Sequence, residues 1–138
     1  MAIVYFDSSA FVKLFVEEEG SDVTAELWDR CDLPISSRLA YPEVRASIAA
    51  ARRDHRLTEA DERLAVHLWE QYWAAVRIVE LTEQVGATAG ALAGDHGLRG
   101  ADAVHLASAR AVAPNVIVAV WDLRLASAAR QLGFATVP

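Results

Sequence analysis

Apolar residues along this chain fall into two rhythms. Short runs rich in β-branched and aromatic residues read as strands: Ala2–Phe6, Leu33–Ser36, Arg77–Leu81, Val116–Trp121 and Phe134–Val137. Between them, apolar residues recur three and four apart, as on one face of a helix. Ser8–Glu18 is predicted as a first helix, with Phe11, Leu14 and Phe15 on one face and Gly20 as its stop. A second runs from Ser21 to about Arg30, with Val23, Leu27 and Trp28 inward. A third extends from about Leu39 to His55. Pro42 lies early in it, so the helix either starts near Tyr41 or has a distorted first turn. Thr58, with Asp61 three residues on, caps a fourth helix to about Val76, whose Leu64, Leu68, Trp69, Tyr72 and Trp73 form a broad apolar face. Thr82 caps a fifth, in which Gly86, Gly90 and Gly94 at every fourth position predict close packing against a neighbouring helix. Gly97 and Gly100 mark a loop. Ala101–Val112 is a sixth helix ended by Pro114, and Leu123–Leu132 a seventh stopped by Gly133.

Strands that alternate with helices imply an α/β fold, a mostly parallel sheet covered on both faces. Ligands on such sheets bind beyond the carboxyl ends of the strands. Asp7 and Asp122 fall there, each directly behind a strand. The 138 residues contain no linker, low-complexity tract or internal repeat, so residues 1–138 are expected to form a single domain.

Composition narrows the function classes. At 54% hydrophobic the chain can bury a sizeable core, yet no apolar run approaches the ~20 residues of a membrane span. The N-terminus lacks a basic start and a small-residue cleavage site, so no secretory signal is expected. Cys31 is the only cysteine, which excludes an internal disulfide and fits a reducing cytoplasm. A net charge of −6 argues against phosphate binding, but Asp7, Glu43, Asp102 and Asp122 account for −4 of it, leaving −2 elsewhere. Basic residues are twelve Arg and one Lys, Lys13. Arg is the better fork for phosphate, but a bias in genomic base composition is the preferred explanation of the excess.

Taken singly, the four acids have structural explanations. Asp7 and Asp122 suit helix N-caps. Glu43 and Asp102 lie in first turns, where the macrodipole favours a carboxylate. Gathered at one sheet edge, however, four carboxylates repel unless a cation joins them, and a divalent metal is the usual partner.

Their neighbours carry a resemblance. Ile3-Val4-Tyr5-Phe6-Asp7-Ser8-Ser9-Ala10-Phe11-Val12-Lys13-Leu14 resembles the opening of PIN-domain ribonucleases, specifically VapC-type toxins of toxin–antitoxin pairs. Tyr41-Pro42-Glu43-Val44-Arg45-Ala46 resembles their second motif. Leu98-Arg99-Gly100-Ala101-Asp102-Ala103-Val104-His105-Leu106-Ala107 resembles the third, and Val120-Trp121-Asp122-Leu123-Arg124-Leu125-Ala126-Ser127-Ala128-Ala129 the fourth. The resemblance spans the chain with the motifs in order. It implies a three-layer α/β/α PIN-like fold and an endoribonuclease dependent on Mg2+ or Mn2+. It also implies a homodimer and a cognate antitoxin whose tail covers the acidic site. Asp7 and Asp102 would be the main metal ligands. Glu43 and Asp122 would act directly or through bound water, and one of the four would help deprotonate the attacking water. Two departures stand out. Val120 occupies a position where the family often has Thr or Ser, and Pro42 directly precedes Glu43. A PIN-like binding module with weakened catalysis, or a metal-dependent phosphatase or DNA nuclease using the same acids, are the alternatives.

Other residues offer less. His55, His67, His96 and His105 are dispersed, and with one cysteine no zinc spacing exists. His105, one turn beyond Asp102, reads as a packed helix histidine within reach of the site. No Gly-Lys-Ser/Thr follows the glycines, so a phosphate loop is unsupported. Arg45, Arg52, Arg53 and Arg56 form either a track for an RNA backbone or an ordinary solvated helix face. Trp69, Tyr72 and Trp73 are core, or a dimer or antitoxin surface where exposed.

Overall fold

A computed structural model describes residues 1–112 and 115–138. The helix stop expected at Pro114 lies outside the described residues. Five parallel strands form the sheet: β1 (Ile3–Phe6), β2 (Leu33–Ser37), β3 (Arg77–Val79), β4 (Ile117–Ala119) and β5 (Ala135–Val137), in the order β3-β2-β1-β4-β5. Seven helices lie among the described residues: α1 (Ser8–Val12), α2 (Ser21–Arg30), α3 (Ala40–Arg53), α4 (Glu59–Ala74), α5 (Glu83–His96), α6 (Gly100–Val112) and α7 (Leu123–Gln131). None is long and apolar enough to cross a membrane.

β1 is central, and its pleat builds both cores. Successive residues of a strand face opposite sides of the sheet. Tyr5 joins Ile35, Val118, Val120 and residues of α5, α6 and α7 in one cluster. Val4 and Phe6 join Ala10, Phe11, Val44, Ile48 and Trp69 in the other, under α1, α3 and α4. The arrangement is the expected three-layer α/β/α fold. From β1 the chain winds outward to β2 and β3 on one side, and β4 and β5 fill the other. The reversal of strand order beside β1 opens a crevice at the carboxyl ends of β1 and β4.

Several elements depart from the expected ones. The first helix ends at Val12 rather than Glu18. Lys13, Leu14 and Phe15 continue as tight turns, their amides bonding carbonyls three residues back. Lys13 then reaches Glu18 and the carbonyl of Glu19, and Gly20 at φ +90° swings the chain into α2. On α2, Ser21 and Thr24 face inward with Leu27 and Trp28, and Val23 is exposed. Leu64 on α4 is likewise exposed, because Ala65 and Trp69 take the inward positions. Strand β3 stops at Val79, leaving Leu81 outside it and exposed. The α5 glycines do not mediate close packing. A Cβ built on Gly86, Gly90 or Gly94 meets nothing within 4 Å, so this ridge faces away from the core. Val85, Ala89 and Leu92 are the residues α5 buries.

Two helix starts follow the sequence closely. Thr58 and Asp61 form a reciprocal capping box at the start of α4. Pro42 sits in the first turn of α3, where its missing N–H is not needed, and the helix begins at Ala40 without distortion.

Candidate active site

The crevice gathers residues from four segments that are distant in sequence. Asp7 leaves β1 and caps α1. Its Oδ1 accepts the Ala10 N–H at 2.9 Å and the Ser9 hydroxyl at 2.7 Å. Among the described residues, Oδ2 receives no hydrogen bond. Capping and site membership are therefore compatible, since they use different oxygens. Asp7 is only 4% exposed, and burial pushes its carboxyl above the ordinary carboxylate range. His105, the Ser9 hydroxyl and the Ala10 amide pull the other way without overcoming it, and Glu43 adds to the upward push.

Glu43 projects from the first turn of α3. Its Oε1 lies 2.5 Å from His105 Nε2 and accepts from the Ser8 hydroxyl at 3.2 Å. Asp102, in the first turn of α6, accepts from Arg99 Nε at 2.9 Å through Oδ2. The same guanidinium lies 3.9 Å from Asp122 Oδ2. Asp122 caps α7 through Oδ1, which accepts the Leu125 N–H at 2.9 Å. Asp102 raises the Arg99 pKa first by its hydrogen bond and then by its charge, with smaller contributions from Asp122 and Glu43. Arg99 thus lies in the field of three of the four acids while its side chain stays 74% exposed.

Arg99 joins Asp102 and Asp122, His105 and Ser8 meet Glu43, and Ser9 and Ala10 hold Asp7, which feels Glu43 and His105 through charge. Among the described residues, no three His, Cys, Asp or Glu side chains form a ready-made metal cage. Arg99 stands between Asp102 and Asp122 instead. The donor chemistry suits a hard divalent cation. Carboxylate oxygens suit Mg2+ or Mn2+, and the free oxygen on Asp7 is backed by a buried, poorly solvated group. Asp102 and Asp122 stand at helix N-termini, where the macrodipole offsets part of their repulsion.

The departures resolve locally. Val120 is 1% exposed and packs in the core, so the hydroxyls beside the acids come from Ser8 and Ser9. The Trp121 amide lies 3.5 Å from Ser9 Oγ, linking the β4 end to α1. Pro42 does not turn Glu43 away from the site.

His105 is the residue whose part the sequence understates. It is a packed helix histidine, 2% exposed, and it also touches Glu43. The available signal was its spacing of three from Asp102, which puts both on one helix face. The arginines of α3, with Arg56 just beyond its end, resolve toward the solvated face. Arg45 pairs with Glu70, Arg52 with Glu62, and Arg56 with Asp54, while Arg53 is exposed. Trp69 is buried, with Tyr72 and Trp73 half-buried against Phe11, Phe15, Trp28 and Tyr41.

Comparison with known proteins bears on this arrangement. A family model described as PIN domain matches residues 4–131. Ribonuclease VapC45 of Mycobacterium tuberculosis (strain CDC 1551 / Oshkosh) is 58% identical over 139 aligned positions, covering 100% of this chain and 96% of that protein. The structure of FitAcB from Neisseria gonorrhoeae superposes with a TM-score of 0.74 at 19% identity, covering 99% of this chain and 97% of the other. A toxin–antitoxin complex from Klebsiella pneumoniae aligns with a TM-score of 0.58 at 19% identity, covering 83% of each chain.

Proposed function

The chain belongs to the PIN-domain family, with VapC ribonucleases among its relatives, and from that premise we propose that it is a metal-dependent endoribonuclease toxin. The observation that carries the proposal is the gathering of Asp7, Glu43, Asp102 and Asp122 beyond the carboxyl ends of β1 and β4, where Arg99 meets Asp102 and Asp122, His105 meets Glu43, and Glu43 and Asp7 feel each other's charge. Residues 1–138 act as one PIN domain, and the substrate is RNA in the cytoplasm.

Asp7 and Asp102 would hold Mg2+ or Mn2+, and Glu43 and Asp122 would bind it directly or through water. When bound, the ion supplies charge neutralisation at the phosphoryl oxygens and lowers the pKa of water. The protein's own groups supply position. The Ser9 hydroxyl and the Ala10 amide fix Asp7. The Leu125 amide fixes Asp122. Arg99, largely exposed beside Asp102 and Asp122, offers a planar fork suited to a phosphate.

The network around the site is acidic and the net charge is −6, which suits a basic segment of a cognate antitoxin lying over the site. The VapC name of the 58% identical relative and the fold of the Klebsiella pneumoniae complex support that partner. A homodimer is the assembly this reading carries.

The test is direct. The purified chain, free of partner, is incubated with mixed RNA and Mg2+ or Mn2+, beside Asp7→Ala and Asp102→Asn. Metal-stimulated cleavage by the wild type and its loss in both variants is the expected result. Cleavage that persists in both variants defeats the site assignment, and cleavage of DNA alone defeats the RNA substrate.

A further inference from the structure

A line of buried hydrogen bonds runs from the sheet to Glu43. Ser37 ends β2, and its backbone N–H lies 3.2 Å from the Tyr5 hydroxyl oxygen on the neighbouring strand. That hydroxyl lies 2.7 Å from His105 Nδ1. His105 Nε2 then lies 2.5 Å from Glu43 Oε1. Tyr5 is 0% and His105 2% exposed. The chain of contacts joins two strands, α6 and α3, and its terminus is one of the site acids.

A carboxylate can only accept, so the hydrogen between His105 and Glu43 belongs to Nε2. That nitrogen is thereby committed and does not face substrate. Tyr5 occupies the opposite nitrogen, so the ring cannot rotate without breaking both bonds. On Glu43, Oε1 receives both His105 and Ser8, whereas Oε2 receives no hydrogen bond among the described residues. A glutamate side chain is otherwise a long rotor. Two donors on one oxygen select the orientation in which the other oxygen is presented.

We propose that His105 is a positioning residue: held by Tyr5, its Nε2–H pins Glu43 Oε1 and leaves Oε2 as the oxygen that faces the bound cation. The role assigned to Oε2 rests on the metal-dependent reading above. Supporting groups behind a metal ligand commonly set affinity by 10–100-fold, roughly the effect expected here.

The experiment uses the full-length protein in two arms. The first is long-range 1H–15N NMR of the metal-free chain, with the His105 signals assigned by their loss in His105→Gln. Nε2 should carry a proton, and that proton should exchange faster with solvent in Tyr5→Phe, which keeps the ring but loses the hydroxyl. The second is Mn2+ binding followed by electron paramagnetic resonance, without RNA. The midpoint should rise roughly tenfold or more in His105→Leu and in Tyr5→Phe. It should return most of the way in His105→Gln, whose amide N–H can still reach Glu43. On RNA, kcat should fall in Tyr5→Phe with KM unchanged. A bare Nε2 overturns the proposal, as does a wild-type midpoint in His105→Leu. If circular dichroism shows that His105→Leu does not fold, a wild-type midpoint in Tyr5→Phe overturns it. A wild type that cuts no RNA defeats only the ribonuclease reading, because both arms are read without RNA.

Discussion

Replacing Asp7 by Asn should make the metal-free protein more stable while removing its response to metal. Asp7 is 4% exposed and its carboxyl is held above the ordinary range by burial. A carboxyl raised in this way keeps its proton longer in the folded state. Its favourable contribution is complete below the unfolded value of 3.8 and is lost as pH rises through the folded one. Each pH unit inside that window removes about 1.4 kcal/mol. Well above the unfolded value the Asp7 carboxyl is therefore a cost to the metal-free fold. Asn removes the charge but keeps an Oδ1 that accepts from Ser9 and Ala10, and it caps a helix as well as Asp does. Thermal unfolding with a chelator should show Asp7→Asn melting higher than wild type, by roughly 3–5 °C per kcal/mol gained for a chain of this size. The gap should close as pH falls below the unfolded value. Asp7→Ala, which also loses the cap, should fall about 1 kcal/mol below Asp7→Asn. Added Mg2+ should raise the wild type alone, by about 2.7 kcal/mol at a hundred times its dissociation constant. If chelated Asp7→Asn melts below wild type near neutral pH, the buried charge is not the cost assigned to it.

Other outcomes follow from the fold and the site. Gly20→Ala should destabilise strongly: the αL conformation alone costs an L-residue about 1–2 kcal/mol, and its Cβ would lie 2.6 Å from Trp121 Nε1. Urea unfolding reads the total. Gly86→Ala, Gly90→Ala and Gly94→Ala should each stabilise by about 0.5–1 kcal/mol, because the new methyl groups meet nothing and the helix loses its most flexible residues; calorimetry of the triple variant reads the sum. Arg99→Gln should lower the Mn2+ midpoint several-fold in a binding titration, since the guanidinium competes for Asp102 and Asp122. Thr58→Ala should cost about 1 kcal/mol in thermal unfolding through loss of the α4 cap.

Much of this architecture is legible in the chain because its signals are local. Strands announce themselves by period and by the turn residues behind them, and Thr58, Thr82 and Asp122 mark helix starts by their own chemistry. Position marked Asp7 and Asp122 as strand-end residues, but the four acids as a set were picked out by the motif resemblance, since position alone gave each a structural explanation. What escaped was set by distant partners. The first helix gives way to tight turns after Val12 with no breaker in the run, and Lys13 there reaches Glu18 and the Glu19 carbonyl. Val23 and Leu64 face outward because Thr24 and Ala65 fit against neighbours that the local pattern does not describe. The glycine spacing on α5 predicted contact, yet the contact with the core is made by Val85, Ala89 and Leu92. The Tyr5–His105 bond joins residues 100 apart, so only the assembled sheet reveals it.

The division of labour within each carboxylate has a consequence for how such a molecule can be switched. Asp7 and Asp122 each spend one oxygen on holding a helix and keep the other outside that task. The scaffold is consequently complete before any cation arrives and stays complete after one leaves. On the proposed metal-dependent reading, arming and disarming become a matter of which positive group occupies the crevice, with the backbone indifferent to the exchange. A partner that inserts its own cation there could silence the protein without unfolding it and, on departing, return it ready to act.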